Sequence, residues 1–190
     1  MLINALWRMM MEKQILASFL EDKIPENEMD LVEVSDKIWE IGNITYIYDR
    51  LESDDFNVFI MMNIIGIWKG DGWGGILENE ELLPYVESAL RFFELDEIAH
   101  SYCELIALFP VDPYDDSVLK VFFDHHNFLI NPRFKIQDPR LQSIDREERE
   151  RLSVIYQQIL PILDDLSEVL WGYNAPNLEG WQIILDYFRK

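Results

Sequence analysis

Two short clusters contain the side chains best suited to catalysis or metal binding. In the first, His100, Cys103 and Glu104 have i, i+3 and i+4 spacing, so on one helix an imidazole, a thiol and a carboxylate can face the same ion. No second His or Cys pair with ligand spacing accompanies them, and residues 102–109 have ordinary core periodicity. We therefore expect Cys103 to be a packed side chain and the metal site to be absent.

The second cluster is the run Asp124-His125-His126. Adjacent side chains on a helix point about 100° apart, so two neighbouring histidines do not easily chelate one ion. We expect them at the C-terminal end of a helix, where a cationic imidazole interacts favourably with the helix dipole. The alternative is a metal-binding or enzymatic centre that the fold assembles from His100, Cys103, His125 and His126.

A third feature is the run Gly-Asp-Gly-Trp-Gly-Gly at residues 70–75, which holds four of the eight glycines. It lacks the Lys-Ser or Lys-Thr ending of a phosphate-binding loop and the acid spacing of a calcium loop. We expect a sharp loop that no helix crosses. Trp73 within it is either an exposed interface anchor or a plug of the core, and both interpretations remain open. No catalytic residue, metal or cofactor is expected anywhere in the chain.

The composition points to a basic partner protein. The 190 residues contain 36 Asp and Glu against 16 Lys and Arg, giving a formal net charge of −20. Residues 25–110 alone hold 19 acids and 4 bases, a net charge of −15. Because phosphates would repel such a chain, direct binding to nucleic acid is excluded. The 49% hydrophobic content is ample for a core and excludes disorder for most of the chain.

Several observations bear on the compartment. The single cysteine, Cys103, cannot form an internal disulfide, which fits a reducing environment. The longest charge-free apolar run, residues 56–68, has 13 residues and is too short for a bilayer of about 30 Å. Residues 1–8 show no secretory signal pattern. We expect a cytoplasmic protein that does not contact membranes.

Hydrophobic spacing indicates the elements that position these residues. Apolar residues recur at three and four positions, which predicts one all-α domain over residues 1–190. We expect a bundle of about seven or eight helices around a central helix, residues 56–68, because that run is apolar nearly all round. The expected connectors are an acidic one at 25–34, the glycine loop, and an irregular one at 127–142.

The predicted helix boundaries follow from caps and breakers. Ser35 is expected to cap the second helix, and Ser143 to open the longest one, which Pro161 should kink. The predicted helices are residues 6 to about 23, 35–51, 54 or 55 to 70, 80–93, 96–109, 112 or 115 to 126, 143–170, and a last one within 177–190.

Residues 55–190 resemble a bacterial family of small helical proteins described as DNA-mimic-like domains of otherwise unknown function. The family has a short Asn-Gly-Gly-aromatic loop between a helix and a pair of helices, and here Trp73-Gly74-Gly75-Ile76 takes that place. Trp73 replaces the Asn, Ile76 replaces the aromatic, and the Gln that follows it in the family is missing. The second helix of the pair ends at Leu108-Phe109-Pro110, and the family's closing Leu-Asp and Tyr pattern matches Leu163-Asp164-Asp165 and Leu185-Asp186-Tyr187.

The resemblance implies an acidic helical protein whose surface imitates the phosphate array of DNA. Such a protein inhibits a basic DNA-binding protein by occupying its nucleic-acid site. A close alternative is an immunity protein that covers the active site of a basic nuclease toxin. The plain alternative is a solvated surface. The sequence specifies neither the partner nor the oligomeric state.

A binding face requires carboxylates that can pair with the Arg and Lys that normally meet phosphate. The expected partner-binding residues are Asp54, Asp55, Glu78, Glu80, Glu81, Glu94, Asp96, Glu97 and Trp73.

Overall fold

A computed structural model describes residues 13–20, 23–110, 112 and 122–190. In this part of the chain the protein is all-helical, which confirms the predicted fold class; its one β-type contact is an isolated bridge between Gln14 and Leu51. The helices are α1 Glu28–Trp39, α2 Ile44–Arg50, α3 Ser53–Leu77, α4 Leu83–Phe92, α5 Asp96–Ile106, α6 Phe122–Ile130, α7 Pro139–Gln142, α8 Arg146–Trp171, α9 Pro176–Glu179 and α10 Gln182–Tyr187.

The N-terminal predictions are partly wrong. Residues 6–12 and 21–22 of the first predicted helix lie outside the described residues, and the described part holds only a 3-10 turn, Leu16–Phe19. The expected acidic connector at 25–34 is largely helical, since α1 begins after Asn27, whose side chain accepts a hydrogen bond from the Asp30 N–H. Ser35 therefore lies inside α1 and is not its cap. Asn is as good a cap as Ser, so the helix begins at the cap that comes first in the sequence, Asn27, and takes up most of the predicted connector.

The predicted second helix is divided in two. Gly42 has a φ of +151° and separates α1 from α2, and Asn43 caps α2 by accepting from the Tyr46 N–H. Predicted core residues on both sides of the break, Ile38 and Ile47, are fully buried. The same predicted stripe included Tyr46, which is 43% exposed, so hydrophobic spacing identified the buried faces only in part and did not show the break between them.

The central helix is confirmed, whereas its predicted end at Gly70 is wrong. Helix α3 buries nearly every side chain of residues 55–68 and continues to Leu77 through the glycine run. The predicted loop is reduced to one residue, Gly72, with φ 63° and ψ −163°. That conformation is accessible almost only to glycine, so Gly72 redirects the helix while its neighbours stay helical.

The helix pair after the glycine run matches the prediction with shifted ends. Helices α4 and α5 are divided at Leu95 as expected, and Glu94 before it has a positive φ of 58°. Helix α4 begins at Leu83 and not at residue 80, because the Asn79 side chain accepts from the Leu82 N–H and holds a turn.

The connector predicted at 127–142 is partly helical. Helix α6 continues through its first four residues to Ile130, and its expected start at 112 or 115 lies outside the described helix. Asp138 then caps the short α7. Asp145, and not Ser143, caps α8 by accepting from the Glu148 N–H. Helix α8 runs continuously through Pro161.

The C-terminal segment contains a left-handed turn that the periodicity did not predict. In α9, Asn177, Leu178 and Glu179 all have φ between 53° and 60°, and Gly180 follows with a φ of 86°. The Lys69 ammonium, which is largely buried, pairs with the Glu179 carboxylate at 2.8 Å and so ties this turn to α3. The last helix, α10, is shorter than expected but buries Ile184 and Leu185.

Candidate acidic docking face and apolar groove

Most of the carboxylates expected to bind a partner are accessible. Exposed side chains are Asp54, Glu78, Glu81, Glu94, Asp96 and Glu97, whereas Glu80 is half-buried. Among the described residues Asp96 pairs with Arg91 at 3.4 Å, and Glu78 lies 3.4 Å from the His126 imidazole, whose pKa is lowered by burial. The other exposed carboxylates of this set have no ion-pair partner in the described part of the chain.

Asp55 does not belong to these accessible carboxylates. It is buried at the start of α3, where its carboxylate accepts hydrogen bonds from the Leu16 N–H at 2.9 Å and from the Tyr187 hydroxyl at 2.7 Å. Burial and the adjacent carboxylate raise the pKa of Tyr187, so the hydroxyl remains a donor. Asp55 therefore joins both ends of the described chain to α3 and is not available to a partner.

Trp73 is a plug of the core, which decides between its two interpretations. Its side chain is fully buried, and its indole N–H donates to the Ser167 hydroxyl at 2.8 Å. The ring packs against Tyr102 and Trp171 with centroids 5.7 and 6.2 Å away. Trp73 is therefore removed from the set of expected partner-binding residues.

Three of the exposed acids lie beside an apolar groove of about 590 Å³. One wall is the turn between α4 and α5, and the other is the second half of α8. The lining residues are Glu94, Leu95, Asp96, Glu97, Ile98, Ile162, Asp165, Leu166, Val169 and Leu170. These acids are more than 60 positions from the lining residues of α8 in the sequence, and the fold brings them to the same site.

Helix α8 carries two hydrophobic stripes, and the outer one forms the floor of the apolar groove. The inner stripe packs in the core and includes Leu163 and Trp171, both fully buried. The outer stripe runs through Ile162, Leu166, Val169 and Leu170. Ile162 is 56% exposed and Val169 is 69% exposed. Hydrophobic spacing predicts one helix through all of these residues but does not separate the two stripes on it.

The rim of the apolar groove is acidic. Glu94, Asp96, Glu97 and Asp165 surround the outer stripe, and of these only Asp96 forms an ion pair within the described residues. Asp96 and Glu97 occupy the first turn of α5, where negative charge stabilises the helix N-terminus. That role does not neutralise them as a salt bridge would. The groove thus combines an apolar floor with negative charge on its edges.

A larger groove of about 970 Å³ lies at the other half of α8, among residues 128–157. Two of its arginines are already bonded inside the chain. Arg149 donates to the carbonyl oxygens of Phe128 and Asn131, and Arg146 pairs with Glu150 at 2.6 Å. The exposed Arg133, which also lines this groove, forms no ion pair within the described residues, and the carbonyl contacts of Arg149 leave its charge in place, so this groove is positively charged, in contrast to the acidic rim.

The first candidate metal cluster does not assemble. His100 is exposed and its imidazole lies 3.6 Å from the Glu104 carboxylate, an ordinary i, i+4 pair. Cys103 is half-buried, and burial raises the pKa of its thiol. A thiol with a raised pKa is less available as a thiolate ligand or nucleophile. This arrangement agrees with the expected packed cysteine.

The two adjacent histidines are buried and lie in the middle of α6, so their predicted place at a helix C-terminus is wrong. His125 donates through Nε2 to Asp138 at 3.0 Å, and the Arg140 guanidinium holds the pKa of that carboxyl well below its usual range. His126 Nε2 lies 2.6 Å from the hydroxyl of Tyr156. Burial lowers the pKa of both imidazoles, so both are neutral near pH 7.

Within residues 13–20, 23–110, 112 and 122–190, no group of three or more His, Cys, Asp or Glu side chains is arranged to hold a metal ion. None of the helices in these ranges combines the length and the apolar character that a membrane span requires. No protein-family model, curated protein or solved structure matches the chain.

Proposed function

We propose that this protein is a non-catalytic, cytoplasmic binding protein that presents its carboxylates to a basic partner protein. The observation that carries the proposal is the exposed acidic set, of which Asp54, Glu81, Glu94 and Glu97 have no ion-pair partner among the described residues. Unpaired carboxylates are free to meet the Arg and Lys of another protein. Their fields steer association and contribute specificity.

The partner that fits best is a DNA-binding protein, inhibited by occupation of its nucleic-acid site. In the structure Glu78 and Glu81 lie between α3 and α4, and Glu94 lies in the turn before α5, where Glu97 stands in the first turn. Exposed carboxylates at such helix ends are accessible to the Arg and Lys that normally meet phosphate. The resemblance of residues 55–190 to DNA-mimic-like proteins supports the same partner. An immunity protein against a basic nuclease toxin uses the same electrostatics and is the second candidate.

The test is association with a partner captured from the source cell, measured at low and high salt. We expect the association rate to fall steeply with salt, since the Debye length decreases from about 10 Å at 0.1 M to about 3 Å at 1 M. Duplex DNA should displace the protein from a DNA-binding partner. A captured nuclease whose activity is inhibited would favour the immunity function.

Charge reversal provides the matched comparison. Changing Glu78, Glu80 and Glu81 to Lys should slow association, because steering charges act mainly on the on-rate. The control changes Asp36, Glu40 and Glu104 to Lys, which alters the net charge equally at exposed positions outside the predicted set. Circular dichroism checks that both variants fold. If the two variants bind with equal rates, the acids at 78–81 are an ordinary solvated face.

A further inference from the structure

We propose that the apolar groove between the α4–α5 turn and α8 binds a basic amphipathic helix of the partner protein. This inference rests on the proposed function and names the part of the partner that is bound. Three observations support it: the exposed apolar floor, the shape of that floor, and the acidic rim.

The apolar floor is unusual for a helix that is already packed. Helix α8 buries one stripe against the core, and yet Ile162 and Val169 on its outer stripe are more than half exposed. Charged or polar residues normally occupy the outer face of such a helix. Exposed apolar patches rimmed by polar residues mark interaction sites, so the outer stripe requires a partner surface.

The shape of the floor matches a helix. The outer stripe spans residues 162–170 of a continuous helix, which at 1.5 Å per residue is about 12 Å, or slightly more than two turns. The stripe residues stand at i, i+4, i+7 and i+8, and a helical ligand places its apolar anchors at the similar spacing i, i+3, i+4 and i+7. Two helices with such stripes pack by inserting the ridges of one into the grooves of the other.

The acidic rim selects the charge of that helix. Glu94, Glu97 and Asp165 are rim carboxylates without ion-pair partners in the described chain, and Asp96 is shared with Arg91. Lys and Arg flanking an apolar stripe can lay their stems on the floor and bring their cationic ends to these carboxylates. A second copy of this chain, at net charge −20, would add like charge to the rim. Charge complementarity therefore favours a basic helix over a self-association.

The experiment uses a fluorescein-labelled peptide of about 18 residues, or five turns, with leucine on one face and lysine on the other. Its control has the same composition with the leucines scattered around the helix. Fluorescence anisotropy against the full chain should show tighter binding of the amphipathic peptide. Equal binding of both peptides would overturn the proposal, since charge alone would then explain the interaction.

The decisive variant is Val169→Lys, and Val154→Lys on the same helix is its matched control. Val154 is 55% exposed and lies outside the apolar groove. Val169→Lys should weaken the affinity for the amphipathic peptide about tenfold, because it removes an apolar contact and adds a charge that repels the lysines of the peptide. Val154→Lys, which adds the same charge, should change binding by no more than about twofold. Circular dichroism and thermal melting establish that both variants are folded, and equal weakening by the two would overturn the proposal.

The rim is tested by charge removal. Combined Glu97→Gln and Asp165→Asn should weaken binding of the amphipathic peptide at low salt and have little effect on it at high salt. Combined Asp36→Asn and Glu40→Gln removes the same charge from exposed positions at the C-terminal end of α1 and should have a smaller effect. Equal effects of the two pairs would show that only net charge matters and would overturn the proposed role of the rim.

The outcomes separate this inference from the proposed function. Suppose that Val169→Lys still binds a captured basic partner, whereas the variant with residues 78, 80 and 81 reversed does not. The groove proposal then fails and the acidic binding function stands. The opposite result is peptide binding that depends on Val169 when no captured partner is displaced by DNA and no toxin is inhibited. That result would support the groove proposal alone. A dimer that Val169→Lys dissociates would show that a second copy occupies the groove and would overturn the proposal.

Discussion

The indole N–H of Trp73 donates a hydrogen bond of 2.8 Å to the hydroxyl of Ser167, and that hydroxyl donates in turn to the carbonyl oxygen of Leu163. Both side chains are fully buried. The relay joins the last turns of α3, beyond the redirection at Gly72, to the inner stripe of α8. It fixes the orientation of the helix whose other face forms the apolar groove.

Removing the acceptor of this relay should destabilise the fold. Ser167→Ala leaves the Trp73 N–H buried without a partner, and we expect the free energy of unfolding to fall by about 1–3 kcal/mol. Ser153→Ala, on the same helix and without a side-chain hydrogen bond in the structure, should change it by no more than about 0.5 kcal/mol. Urea denaturation followed by circular dichroism measures both. Equal stability of the two variants would contradict the role assigned to the relay.

Gly72 and Gly70 should respond in opposite directions to the same substitution. Gly72→Ala places a side chain at a φ of 63°, and we expect a loss of about 1–3 kcal/mol. Gly70 has no positive φ and an added Cβ there meets nothing within 4 Å, so Gly70→Ala should stabilise the protein by about 0.5–1 kcal/mol. Thermal melting compares the two variants. A neutral Gly72→Ala would show that the chain does not need the glycine conformation.

Asp55 should contribute more to the stability of the fold than its neighbour Asp54. Asp55→Ala deprives both the Leu16 N–H and the Tyr187 hydroxyl of their acceptor, and we expect a loss of about 2–3 kcal/mol. Tyr187→Phe removes only one of the two bonds and should cost about 1 kcal/mol. The exposed neighbour provides the control, since Asp54→Ala should cost less than about 1 kcal/mol through the helix dipole. Chemical denaturation ranks the three variants, and a different order would contradict this account.

The buried histidines should make stability depend on pH. Burial lowers the folded-state pKa of His125 and His126 below the ordinary value of 6.5, so the unfolded chain binds more protons. Their contribution to stability is therefore complete above about pH 6.5 and is lost as pH falls below it. The loss is up to about 1.4 kcal/mol per pH unit for each imidazole that stays neutral.

The measurement is the free energy of unfolding between pH 7.5 and 5.5 for the wild type and for His126→Gln. Glu78 and Tyr156 contact His126 directly, and Asp138 with Arg140 faces His125. These groups are common to both proteins, so we attribute a shallower slope in His126→Gln to His126. Parallel slopes in the wild type and in His126→Gln would exclude this buried imidazole as the cause.

By itself, the sequence determined the helical class and the central helix. Residues 56–68 are apolar nearly all round, and a helix of that kind must be covered on every side. The division at Leu95 was also readable from local spacing. Helix ends were less certain, because Asn27 and Asp145 are caps as good as Ser35 and Ser143 and only the folded chain selects between them.

The tertiary structure decided which of the predicted site residues belong together. Exposure separates Asp54 from Asp55, although the two acids are adjacent and chemically identical, because helical geometry points one outward and the other toward Tyr187. Trp73 became a core residue because Gly72 redirects α3 toward Ser167. The apolar groove could not be predicted from the sequence, since the residues of its two walls are more than 60 positions apart, as Glu97 and Ile162 show. Local pattern determines faces, whereas packing between distant elements determines which faces stay open.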